Sequence, residues 1–341
     1  MAAEIKPIAG LQRDILSDAI PLDTPYSMFI FPTTICNFRC VYCGHSLGKE
    51  EMRKRYGFEQ MHMDIDMFFQ IVEQIKQFPR KIRQISLTGH GEPLLNPNIA
   101  EMVRIIKEAD ITQRLEVITN ASLLKPELAE KLAANGLDCL RVSIQGVATD
   151  SYRKMCGTNV TFEEILENLT YFSKIKNNTQ LYVKVMDVAL NSTQEQEYFY
   201  KSFSDIADRM YIETCRPVYS GVSYTEKMVN IIDRYGRSHP HREVCPLPFF
   251  MLGIFPDGSI VPCDAIYKPV VLGNITNISL REAWNGQTLR KFQYKQICGN
   301  RSKNEKCAQC CAPDDVSHPE DNLDHASVRL KAKWAGMLSE S

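Results

Sequence analysis

The sequence predicts an α/β protein built on parallel strands. Six short apolar segments recur between residues 27 and 214, and helical patterns fill the gaps between them. The pattern breaks at Cys245, after which cysteines become frequent. Strands alternating with helices are joined by right-handed crossovers, which places them parallel in one sheet.

In chain order the strands are "SMFIFPT" (27–33), "QISLT" (84–88), "LEVIT" (115–119), "CLRVSI" (139–144), "LYVKVMDV" (181–188) and "MYIET" (210–214). Helical periodicity falls at 64–78, 98–109, 126–135, 161–176 and about 195–208. Pro126 sits in a first turn, where its missing N–H costs nothing, and Thr161 with Glu164 forms a capping-box pattern. Residues 217–244 are polar and marked by Gly and Pro, so they read as a linker. "FPDGSIVP" predicts a hairpin turning at Asp257-Gly258, and 279–295 predicts a helix. The chain thus divides into an N-terminal extension (1–26), a strand–helix domain (27–216), the linker (217–244), a small cysteine-bearing domain (245–316) and a polar, weakly helical tail (317–341).

With 341 residues, 44% of them hydrophobic, the chain can bury a sizeable core. Its net charge of −1 gives no basic footprint for nucleic acid. Apolar runs such as "FFMLGIF" are too short to span a bilayer, and "MAAEIKPIAG" does not read as a secretory signal. The expected compartment is the reducing cytoplasm, where twelve clustered cysteines serve metals or catalysis rather than disulfides.

Cys36, Cys40 and Cys43 follow the first strand directly, with Tyr42 beside the last. In a parallel barrel the loops at the C-terminal ends of strands face the active site. Three thiolates there suit a [4Fe–4S] cube with one iron left open. A zinc site using His45 as fourth ligand is the alternative.

The C-x3-C-x2-C spacing resembles the signature of the radical S-adenosylmethionine (SAM) superfamily. "LTGHGEP" (87–93) resembles that family's glycine-rich loop, with His90 inserted. The resemblance implies a partial (β/α)6 TIM-like barrel, in which Gly89 and Gly91 let the backbone approach SAM and Glu92 meets its amino group. "VITNAS" resembles the family's third-strand segment, which places Asn120 near SAM. Strand alternation turns Arg141, Ser143 and Gln145 inward. Gln145 stands where the family often has Asp, and Cys156 where relatives carry an arginine for the SAM carboxylate. Arg153 or Lys184 is the expected substitute.

Cys245, Gly258, Cys263, Cys307 and Cys310 form a second pattern. It resembles the SPASM or twitch extension of the same family, which implies one auxiliary [4Fe–4S] cluster closed by four cysteines. A zinc ribbon fits the same spacing.

The resemblance implies reductive cleavage of SAM and hydrogen-atom abstraction from a C–H bond, with electrons from a donor such as flavodoxin or ferredoxin. Inward candidates for the substrate are Lys184, Glu213, Arg216 and Asp187. Cys215 sits at the catalytic end of the last strand, where some epimerases of the family place a thiol that returns a hydrogen atom. The favoured substrate is small and polar: a sugar, sugar nucleotide or aminocyclitol, with oxidation or epimerisation as outcome. The alternatives are a ribosomal peptide or protein, and a non-catalytic metal protein.

Overall fold

The computed structural model describes residues 2–7, 13–226, 228, 232–315 and 318–339. The six strands expected from alternation form the middle of the sheet. They are β2 (Ser27–Ile30), β3 (Gln84–Leu87), β4 (Leu115–Thr119), β5 (Cys139–Ile144), β6 (Gln180–Met186) and β7 (Arg209–Glu213). Each pairs in parallel with the next, so the crossovers run through the helices between them. This is the partial barrel.

Helices Ile65–Ile75, Ile99–Ala109, Pro126–Ala134, Phe162–Ile175 and Thr193–Phe203 cover its outer face. Leu140, Val142 and Ile144 point outward into that core and are fully buried. The Thr161 hydroxyl accepts from Glu164 N at 3.1 Å, capping the helix at 162.

Four features depart from the expected layout. A two-residue strand β1 (Glu4–Ile5) pairs in parallel with β7, so part of the N-terminal extension joins the sheet. Strand β8 (Met251–Ile254) pairs in parallel with β2 along its whole length, Ser27 against Met251 through Ile30 against Ile254. It continues through the expected turn at Gly258 (φ 81°) into antiparallel β9 (Ser259–Val261) and β10 (Gly273–Asn274). Among the described residues the ten strands therefore make one sheet, ordered β1-β7-β6-β5-β4-β3-β2-β8-β9-β10. The helix expected over 279–295 is two, Leu280–Asn285 and Gln287–Ile297, broken at Gly286. Finally, helices Lys49–Tyr56 and Thr149–Cys156 were not expected. The first is mostly charged and buries only Met52 and Tyr56.

Candidate functional site

The loop after β2 carries the first three cysteines. Cys43 N donates to Cys40 O at 2.8 Å, which closes a tight turn. Helix Thr149–Cys156 pins the loop from outside: Arg39 N donates to Cys156 O and Val41 N to Met155 O. Glu92 N donates to Ile35 O at 2.8 Å, stapling the glycine loop to the cysteine loop. A Cβ on Gly91 would lie 2.6 Å from the Ile35 and Thr33 carbonyls, and one on Gly89 (φ +137°) 2.3 Å from the Phe31 ring. Only glycine lets the two loops meet.

Burial raises the Cys36 and Cys43 thiols, and the Cys156 contact, then burial, raises Cys40. Cys43 is pushed up to about 12 by burial and by Cys40, while the Tyr219 hydroxyl pulls it back. Taking up a cluster therefore displaces protons from these sulfurs.

Two of the residues expected at SAM lie outside the lining of the cavity. Glu92 is 2% exposed, and its carboxylate accepts from Leu94 N (3.0 Å), Thr119 Oγ1 (2.5 Å) and Asn120 N (2.7 Å). Burial raises it to about 7, against these three bonds, which lower it. It braces the loop from behind, while Thr88, Gly89 and His90 line the cavity. Arg153 is exposed and lies outside the cavity lining, because Tyr152 and Cys156 occupy the inward face of that helix.

Asn120 holds the cysteine loop: its Nδ2 donates to Asn37 Oδ1 at 3.0 Å. The Tyr42 hydroxyl donates to Gln145 Oε1, and Tyr42 and Ser143 line the cavity.

That cavity, of about 530 Å³, runs inside the barrel. Lys184 and Glu213 face one another across β6 and β7 at 2.5 Å, both buried. Burial alone would raise Glu213, but Lys184 and Arg234 outweigh it and hold the carboxyl below its usual range. Arg141 pairs with Glu116 at 2.7 Å, and Arg234 pairs with Asp315. Asp187 Oδ1 accepts from Cys215 N at 2.9 Å and fixes the backbone of that thiol at the wall. Burial, then Asp187, pushes Cys215 up to about 12.

Sequence reasoning missed much of the opposite wall. Tyr219, Arg234 and Tyr235 come from the expected linker, and His318 and Asp321 from the expected tail. Their partners are remote, as in Arg234 with Asp315, so no local pattern signals them.

Cys245, Cys263, Cys307 and Cys310 line a second, small cavity together. Arg301 Nη1 braces it by donating to the Cys307 and Cys310 carbonyls, both at 2.9 Å. Among the described residues no three His, Cys, Asp or Glu side chains converge to hold a single ion. Four thiols around one cavity, and three beside an opening, instead match the ligand sets of a closed and an open cubane. His90 joins the two regions. Its Nε2 donates to Asp264 O at 2.8 Å, next to Cys263, and its Nδ1 lies 3.3 Å from the Tyr219 hydroxyl oxygen. Burial lowers His90 to about 4, so the ring is neutral.

Comparison with known proteins agrees with this geometry. Residues 30–197 match the model of the Radical SAM superfamily, and residues 245–311 match the SPASM iron-sulfur cluster-binding domain. The chain belongs to the radical SAM superfamily and carries a C-terminal SPASM domain. It is 24% identical over 326 residues to the AdoMet-dependent heme synthase of Methanosarcina barkeri, spanning 82% of this chain and 89% of that one. The Streptococcus suis SuiB structure bound to S-adenosylmethionine superposes with a TM-score of 0.64 at 17% identity, covering 88% of this chain and 73% of that one. BtrN in complex with AdoMet and 2-DOIA gives 0.53 at 17% identity, over 84% and 92%.

The cofactors are SAM and two [4Fe–4S] clusters. Cys36, Cys40 and Cys43 fit the open cluster, and Cys245, Cys263, Cys307 and Cys310 the closed one. Among the described residues no helix is long and apolar enough to cross a membrane.

Proposed function

We propose that the protein abstracts a hydrogen atom from a small polar substrate of the sugar, sugar-nucleotide or aminocyclitol class, leading to oxidation or epimerisation. One observation carries this reading. A cavity of about 530 Å³, walled by ion pairs and by Tyr42 and Cys43 of the cysteine loop, is the space offered to SAM and substrate together. Ligand sites of ~300–1,000 Å³ commonly hold one drug-sized molecule. Space shared with SAM leaves room for a small second molecule, and charged walls select a polar one.

When bound, the open cluster and SAM supply a 5′-deoxyadenosyl radical able to take a hydrogen atom from an unactivated C–H bond. The chain's own groups do the rest. The barrel wall excludes water and fixes the target carbon. Cys215 keeps its proton at neutral pH and offers an S–H at the wall, which suits returning a hydrogen atom. The four-cysteine site is closed to substrate, which suits electron acceptance or relay. An external donor of the flavodoxin or ferredoxin type completes the scheme.

The test is 5′-deoxyadenosine release by anaerobically reconstituted enzyme with SAM and a reductant, against host lysate split at a small-molecule cut-off. Stimulation by the small fraction is expected. Stimulation by the large fraction alone moves the substrate to a peptide or protein.

A further inference from the structure

We infer that Arg216 is a substrate-binding residue and that the substrate carries an oxyanion, a carboxylate or a phosphate. This rests on the reading that a small molecule enters the barrel cavity. Six lysines and arginines line that cavity. Five of them are matched. Arg13 pairs with Asp321, Arg83 with Asp14, Arg141 with Glu116, Lys184 with Glu213 and Arg234 with Asp315, each within hydrogen-bonding distance. Arg216 is the exception. Among the described residues its one ion-pair partner is Asp315, whose Oδ1 stands at 3.8 Å from Nε, beyond hydrogen-bonding distance, while Oδ2 takes Arg234.

The Arg216 side chain is 3% exposed. Its Nη1 donates to Ile232 O, while among the described residues Nε and Nη2 make no hydrogen bond. A guanidinium offers five N–H donors in a planar fork, and one buried with no carboxylate in hydrogen-bonding distance is costly. The fork matches an oxyanion, which such a site recognises in a bidentate manner.

Position separates this anion from the cofactor's own carboxylate. Arg216 follows β7, five strands away in the sheet from β2 and four from β3, which carry the cysteine and glycine loops. It also follows Cys215 directly. An oxyanion on Arg216 therefore anchors the substrate beside the thiol, and the group to be attacked extends toward Tyr42 and Cys43 on the cavity wall.

The experiment is calorimetric titration of the reconstituted, SAM-bound holoenzyme with malonate and with inorganic phosphate. Binding of at least one probe is expected, and the tighter one names the carboxylate or phosphate source. Arg216→Gln should weaken it roughly tenfold or more, the scale of a lost charge-assisted hydrogen bond, with Arg216→Lys in between. Iron content controls for folding. If the wild-type holoenzyme binds neither probe, the inference is overturned whatever the variants do. It is also overturned if Arg216→Gln leaves probe binding intact, or if that variant loses SAM affinity to the same degree. Failure here is separable from failure of the proposed function. A stimulating small-molecule fraction that passes unretained through an anion exchanger sinks the oxyanion and leaves the small substrate standing.

Discussion

Cys156 Sγ lies 3.6 Å from Cys40 Sγ, and Cys156 is 1% exposed. Once Cys40 ligates iron as a thiolate, the Cys156 thiol is the donor of the pair. Hydrogen bonds to ligand sulfurs raise a cluster's potential. A bond of about 1 kcal/mol corresponds to roughly 40 mV for one electron. Cys156→Ala should therefore lower the potential of the open cluster by tens of millivolts, as read by EPR-monitored redox titration. An unchanged potential would reduce Cys156 to packing.

The two cysteine sets should separate by mutation. Replacing Cys36, Cys40 and Cys43 together by Ala should abolish 5′-deoxyadenosine formation and remove about half the iron, leaving the auxiliary cluster's absorbance. Residual 5′-deoxyadenosine would show that SAM is cleaved elsewhere.

Cys215 can be tested isotopically. Its thiol is the donor form and is lost only as pH rises through about 12, so hydrogen return should show no Cys215 titration at neutral pH. If the outcome is epimerisation, turnover in D2O should place one deuterium in the product, and Cys215→Ala should abolish that. Full turnover with unchanged labelling in the variant would return Cys215 to the wall.

The Lys184–Glu213 pair is buried on both sides, so breaking it leaves a buried carboxylate with only the more distant Arg234, at 4.0 Å, to offset it. Lys184→Met should destabilise the fold by about 3–5 kcal/mol in chemical denaturation. Glu213 has its carboxyl held below 4.5, so its contribution is present above that pH and is lost as pH falls below it.

His90 gives a second acid-sensitive element with the opposite origin. Its ring is held neutral down to about 4, against 6.5 for an ordinary histidine. The unfolded chain therefore binds a proton that the folded chain refuses. Stability should fall between pH 6.5 and 4, by up to about 3 kcal/mol from this group. His90→Gln should flatten that part of the stability–pH curve.

Local pattern made the barrel legible. Alternation in "CLRVSI" separates Leu140, Val142 and Ile144 from Arg141 and Ser143, and the structure divides them the same way between core and cavity. The hairpin at Gly258 was readable from its turn residues. What escaped depends on distant partners. Strand β8 is a strand for β2's benefit, and nothing between residues 251 and 254 names that neighbour. Arg234 and Asp315 are 81 residues apart, so a polar segment hides half of an ion pair in the cavity wall. Glu92 was recognisable as a loop residue, but its hydrogen bonds to Thr119 and Asn120, on the next strand's end, were not.

The pairing of β2 with β8 sets the two cysteine-bearing loops side by side. Ile30 and Ile254 are in register, and the loops bearing Cys36 and Cys263 leave the sheet shortly after these neighbours. His90 ties the same regions a second time through Asp264. Among the described residues the loops that bear the two cysteine sets are thus tied across this seam twice, so the fold itself sets their spacing.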